Sequence, residues 1–135
     1  MLTFRSILLI GVLAMFQVSM AQRTFDVTIA DSTYHMKQYW FVLYEAGNGA
    51  PLDSAKAAAL QVEHLAHQDE QAKRGLIVLA GPYGKNAHGW RGVLLYDCET
   101  EEEVKGYLEQ DPFVKAGSLK YTIAPWWGSV GTRLP

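Results

Sequence analysis

Cysteine is nearly absent from this sequence. Cys98 is the only one among 135 residues. One thiol excludes an internal disulfide, so the fold must rest on its core or on a partner subunit. Cys98 ends an apolar stretch with no basic residue beside it in sequence, which suits a small buried filler better than a nucleophile. Basic charge is in no surplus either: Lys and Arg total 12 against 14 Asp and Glu. That balance argues against a nucleic-acid surface, which needs a basic face. The sequence also lacks a phosphate loop, a Ser-x-x-Lys pair, a G-x-S-x-G elbow and a Cys–His motif. It shows no internal repeat and no low-complexity tract. Its one long apolar run, Ser6 to Val18, is short for a membrane-spanning helix, which needs ~20 residues.

What is present begins with that run. Arg5 is the only charge before Gln22, and Ser19-Met20-Ala21 places small residues where a signal peptidase reads. Residues 1–21 are therefore expected to be a secretory signal peptide. The mature chain would start at Gln22, without a membrane span, and be exported to the periplasm or beyond the cell. Cys98 lies far past this point, so lipid attachment at the cleavage site is excluded. Residues 22–36 read as an N-terminal extension, 37–128 as one domain and 129–135 as a polar tail.

In the extension, Phe25, Val27 and Ile29 alternate with polar residues, which suits one edge strand or a tether. Gln38 to Glu45 is dense in aromatic and β-favouring residues and reads as a central strand. Asp53 or Ser54 offers an N-cap for a helix over Ser54–Arg74, stopped by Gly75. Its expected core stripe is Ala55, Ala58, Ala59, Val62, Leu65, Ala66 and Ala72. Leu76–Ala80 and Trp90–Cys98 read as an antiparallel strand pair. Thr100-x-x-Glu103 is a capping box opening a second helix, which Asp111-Pro112 closes. Leu119, Tyr121 and Ile123 alternate along a fourth strand, ended by Pro125. The order β-α-β-β-α-β predicts an α+β, ferredoxin-like fold with a four-stranded antiparallel sheet and both helices on one face. Tyr39, Phe41 and Leu43 alternate with Trp40, Val42 and Tyr44, so the strand is apolar on both sides. Two helices cannot cover both faces, and a sheet-to-sheet homodimer is expected.

His64 lies more than ~100° from the Ala58/Val62/Leu65 stripe on an ideal helical wheel. This places it on a flank with Ala57, Leu60 and Gln71, overhanging a possible cleft. His67 follows at i+3, but the order is not that of a zinc-protease helix and no third ligand is near, so no metal site is expected. His35 and His88 read as exposed. Asp111, as a C-terminal helix residue, would oppose the helix dipole and so calls for a partner such as a histidine. A His–Asp pair would fix an imidazole tautomer for acid–base work. The Gly81-Pro82 turn, with Tyr83, Phe113 and Trp126, is the expected pocket wall; Trp90 and Trp127 are further aromatic candidates.

Four segments in order carry a family resemblance: His64-Leu-Ala, Gly75-Leu-Ile-Val-Leu-Ala-Gly81-Pro82, Asp111-Pro-Phe-Val-Lys-Ala-Gly117 and Ile123-Ala-Pro-Trp126. Together they resemble the YCII-related (YciI-like) family over about Tyr39 to Trp127. The resemblance implies a dimeric α+β barrel and a pocket His–Asp pair at His64 and Asp111. It implies no single reaction: one relative is a dehydrochlorinase of a chlorinated hydroxyhydroquinone, and the wider superfamily holds muconolactone isomerases and monooxygenases. A signal peptide and extension set this chain apart from short cytosolic members. The resulting expectation is a cofactor-independent enzyme acting on a small molecule by proton transfer, isomerisation or elimination. The alternatives are a small-molecule-binding module and an accessory subunit.

Overall fold

The computed structural model describes residues 23–135. The expected signal peptide lies outside these residues. The described chain runs β1 (Thr24–Ile29), β2 (Ser32–Ala46), α1 (Ser54–Lys73), β3 (Ile77–Pro82), β4 (Trp90–Tyr96), α2 (Glu101–Leu108), α3 (Pro112–Lys115) and β5 (Leu119–Ser129). No described helix is long and apolar enough to cross a membrane.

The sheet is antiparallel throughout and is organised by β2. One edge of β2 pairs with β5 from Met36 to Ala46. The other edge pairs with β1 over Ser32–Lys37 and with β4 over Trp40–Glu45. β3 closes the sheet beyond β4. Strands β2 to β5 form the split βαβ arrangement read from the sequence. β1 is an addition: the sheet has five strands, not four. The alternating extension pairs as a hairpin with β2, which is nearly twice as long as the expected Gln38–Glu45 strand. A two-residue turn at Ala30-Asp31 joins them, with Ala30 at φ 50°. Arg23, at the start of β1, is bound to the end of β4. It donates to Asp97 at 2.9 Å and to Glu99 at 2.8 Å, while Lys37 donates to Asp97 at 2.6 Å.

Three local signals bound the helices where expected. Asp53 accepts from the Lys56 N–H at 2.8 Å and is the N-cap of α1. Gly75 adopts φ 75° after the C-cap Arg74. The Gly75 N–H donates to the Ala72 carbonyl and the Leu76 N–H to that of Gln71, a full Schellman closure. Thr100 caps α2 by accepting from the Glu103 N–H, and the Glu103 carboxylate returns to the Glu99 N–H.

The core joins Val42 and Tyr44 of β2, Ile77, Leu94 and Tyr96 to Val104 and Leu108 of α2, with Cys98 buried among them. Burial first, then the nearby Glu103 and Asp97 charges, push the Cys98 thiol up to about 11, so it stays protonated at neutral pH. The opposite sheet face carries Tyr39, Phe41 and Leu43, and none of the described helices lies over it.

The orientation of α1 reverses the expectation. Val62 is 70% exposed and Leu65 54% exposed, and Ala58, Ala59 and Ala66 are exposed with them. The face turned to the sheet is Ala57, Leu60, His64, His67, Gln68 and Gln71, and Gln71 is 1% exposed. This face holds by hydrogen bonds. The Tyr96 hydroxyl donates to Gln71 Oε1 at 2.6 Å, and Gln71 Nε2 donates to the His67 carbonyl at 2.9 Å. His67 Nε2 donates to the Tyr107 carbonyl at 2.9 Å. Polar groups buried in pairs cost little, whereas each would cost several times more alone.

The two faces make opposite predictions for stability. Gln71→Ala strands the Tyr96 hydroxyl and is expected to cost about 2 kcal/mol. Val62→Ala, on the solvent face, should stay within about 0.5 kcal/mol of the parent. Urea unfolding followed by tryptophan fluorescence measures both; the reverse ranking would reverse the helix.

Candidate functional site

The buried polar face of α1 ends in a cavity. Its volume is about 600 Å³, in the range of small-molecule sites. Tyr44 and Leu94 of the central strands and Ala80, Gly81 and Pro82 of β3 form one side. Gln61, His64, Leu65 and Gln68 of α1 form the other, and Phe113, Ser118 and Leu119 close one end. The lining is mostly apolar; its polar residues are Gln61, His64 and Gln68 on the helix and Tyr44, Arg91 and Ser118 off it.

His64 and Asp111, 47 positions apart, meet here. His64 Nδ1 and Asp111 Oδ2 are 2.6 Å apart, with the Asp111 side chain fully buried and that of His64 12% exposed. The Tyr44 hydroxyl donates to the same oxygen at 3.2 Å. The Phe113 N–H donates to Oδ1 at 2.9 Å. Burial pushes the Asp111 carboxyl up. The hydrogen bond and charge of His64, then the Phe113 N–H and the Tyr44 hydroxyl, outweigh this and hold it below the usual carboxylate range. Burial, with the Asp111 charge next, pushes the Tyr44 phenol far up, so Tyr44 stays a neutral donor.

The tautomer of neutral His64 follows from its partners. Asp111 is an acceptor, so Nδ1 carries the proton. Gln68 Nε2 lies 2.9 Å from His64 Nε2, and an amide nitrogen only donates, so Nε2 presents its lone pair. The ring is held edge-on to Phe113, with centroids 5.3 Å apart, and tilted against Tyr44 at 6.0 Å.

Asp111 is not the C-terminal helix residue that the sequence suggests. It does not end α2, which stops at Leu108 with Glu109 as its C-cap. Asp111 is the N-cap of α3, and its side chain accepts from Phe113 N. A carboxylate is favoured at a helix N-terminus, not opposed there. Asp-Pro therefore marks a helix start, with Pro112 at the first helical position.

The expected pocket wall divides. Gly81, Pro82 and Phe113 line the cavity. Tyr83 does not: it follows β3 and packs against Trp90, which stacks on His88 at 4.6 Å. Trp126 does not either. It pairs with Tyr39, on the sheet face opposite Tyr44, and its ring lies 6.2 Å from that of Tyr39. There it folds over Gly128, where an added Cβ would come within 2.2 Å of the indole. Trp127 packs on Phe25 at 4.8 Å, away from the site. His35 pairs with Asp26 on the exposed hairpin. The sequence reading missed Tyr44 and Gln68. The i,i+4 spacing of Gln68 from His64 was the available signal for the second.

The family model for the YCII-related domain matches residues 38–127. No curated protein matches the chain. Among solved structures, it is similar to the 5-chloro-2-hydroxyhydroquinone dehydrochlorinase TftG from Burkholderia phenoliruptrix AC1100, in complex with 2,5-dihydroxybenzoquinone. The identity is 23% and the TM-score 0.48, over 64% of this chain and 92% of that one.

The depressed Asp111 carboxyl makes a pH prediction. A carboxyl lowered in the folded chain adds stability above its unfolded value of roughly 4. That stability is lost as pH falls through the lower folded value. Asp97 is the second such group: burial raises it, but Lys37 and Arg23 together outweigh burial and lower it. Wild type is therefore expected to lose urea resistance on acidification. The gap between wild type and Asp111→Asn, wide at pH 7, should narrow at pH 3. A gap independent of pH would show that Asp111 is not held ionised.

Proposed function

The chain belongs to the YCII-related domain family, and from that footing we propose that it is a cofactor-independent enzyme using His64 and Asp111 to move a proton on a small molecule. The observation that supports this most is the 2.6 Å His64–Asp111 pair at the wall of a mostly apolar cavity. In this reading His64 Nε2 takes a proton from the substrate. Asp111, already ionised, stabilises the imidazolium that forms and keeps the ring aimed. Tyr44 and the Phe113 N–H hold Asp111 in place. Phe113, Leu94 and Pro82 exclude water and pack against an apolar, aromatic or lactone-like substrate. Returning the proton to another atom completes an isomerisation; departure of a leaving group with its bonding electrons completes an elimination.

The second reading is a binding module, in which His64 only hydrogen-bonds a ligand. It draws on the Gln68 amide, which occupies the one His64 nitrogen able to accept a proton. Two broader expectations belong with both readings. Residues 1–21 would export the protein to the periplasm or beyond. The sheet face that no described helix covers, with Tyr39, Phe41 and Leu43, would be covered by a second copy of the chain.

Turnover of a panel of hydroxylated aromatics, lactones and halogenated phenols separates the first two readings. For any substrate found, His64→Ala is expected to lose about 10²–10⁴-fold in kcat. Equal turnover in wild type and variant would remove His64 from the chemistry. Light scattering at micromolar concentration should return twice the mass of the mature chain; a monomer mass would end the dimer reading.

A further inference from the structure

We propose that Gln68 is a positioning residue that gates His64: its amide caps Nε2 and must swing away before that nitrogen can take a proton. This rests on the reading of His64 as the proton-transfer group, though the capping itself can be tested without a substrate.

The geometry carries the argument. Neutral His64 has one lone pair in the ring plane, on Nε2, and Gln68 Nε2 lies 2.9 Å from it. A substrate proton needs that same position, so amide and substrate exclude one another there. The opposite ring nitrogen offers no alternative, because Nδ1 is bound to Asp111 at 2.6 Å. The two partners differ in freedom to move. Asp111 is fully buried and fixed through both oxygens, by His64 and Tyr44 at one and by the Phe113 N–H at the other. Gln68 is half-buried and lines the cavity. His64 Nε2 is its one side-chain hydrogen bond among the described residues. Rotation of a few side-chain torsions releases it, with no change in the helix. A carboxamide is also suited to the charged state. Once Nε2 carries a proton, the same side chain turned over presents Oε1 as an acceptor. Gln68 can therefore stand beside either form of the ring, and it blocks only the form that would act as a base.

Carbethoxylation by diethyl pyrocarbonate reads this directly, because the reagent acylates an unprotonated, accessible imidazole nitrogen. Peptide mass spectrometry resolves His64 from His35, His67 and His88. Gln68→Ala is expected to raise the rate at His64 about fivefold, the weight of one net hydrogen bond. The rates at exposed His35 and His88 should not change, which controls for general loosening. Gln68→Glu should act oppositely and slow modification of His64, since a carboxylate there favours only the protonated ring. Nitrogen-15 spectra should show an unprotonated Nε2 on neutral His64 in wild type. Equal His64 rates in wild type and Gln68→Ala, or a protonated Nε2 in the neutral ring, overturn the gate. The two ideas fail separately. Unchanged His64 rates with a dead His64→Ala enzyme would remove the gate and leave the base. A gated His64 whose removal leaves turnover intact would do the reverse.

Discussion

Among the described residues the carboxylate of Asp111 is the one charge buried completely, and much of the site follows from how it is satisfied. An unpaired buried carboxylate would cost more than a small domain can spare. Its donors come from three elements: His64 from α1, Tyr44 from β2 and the Phe113 N–H from α3. Meeting that need draws the long helix, the central strand and the short helix to one point. The cavity is the space left beside it. Docking α1 and assembling the site are thus one event, not a scaffold to which a site was added.

This explains why α1 presents its polar side inward. Ala58, Val62 and Leu65 form the more apolar stripe, and ordinary amphipathic logic turns such a stripe to the core. On the other face, Gln71 closes on Tyr96, His67 on Tyr107 and His64 on Asp111. The Tyr96 hydroxyl has no other partner among the described residues, and the His64 bond adds to those of Tyr44 and the Phe113 N–H in offsetting the burial of Asp111. An orphaned Tyr96 hydroxyl would cost about 1–3 kcal/mol and an under-compensated Asp111 carboxylate more, against roughly 1.5–3 kcal/mol forgone by leaving Val62 exposed.

The sequence was legible where the signal is local. Gly75, Thr100 and Asp53 act over three or four residues, and the structure places each at its expected helix end. Strand order was legible too, because β-α-β-β-α-β leaves few topologies. The hairpin was half visible: Phe25, Val27 and Ile29 alternate, but nothing in that alternation says that β2 extends back to Ser32 to receive them. The face of α1 was not legible, since it depends on Tyr96 and Asp111, which lie far along the chain. For Asp111, a sound suspicion of a histidine partner came from a mistaken helix end. Of the expected pocket aromatics Phe113 lines the cavity, and Trp126 fails for a simpler reason. Trp126 sits in register with Tyr39 and not with Tyr44, and strand parity alone sends it to the other face.

The distribution of stiffness around His64 completes the picture. One side of the ring is tied to a buried carboxylate that also caps a helix, so its position is fixed by backbone. The other side meets only a glutamine side chain at the edge of an open cavity. A site built to bind charge permanently would harden both sides. A site that must hold a base ready and still let a substrate reach it needs one side fixed and the other yielding. In the proposed reading the fixed side sets tautomer and aim, the yielding side sets access, and the i,i+4 spacing of His64 and Gln68 puts both on one helix. Because the helix docks through Asp111 and Gln71 and not through Gln68, access can change without loosening the fold that defines it.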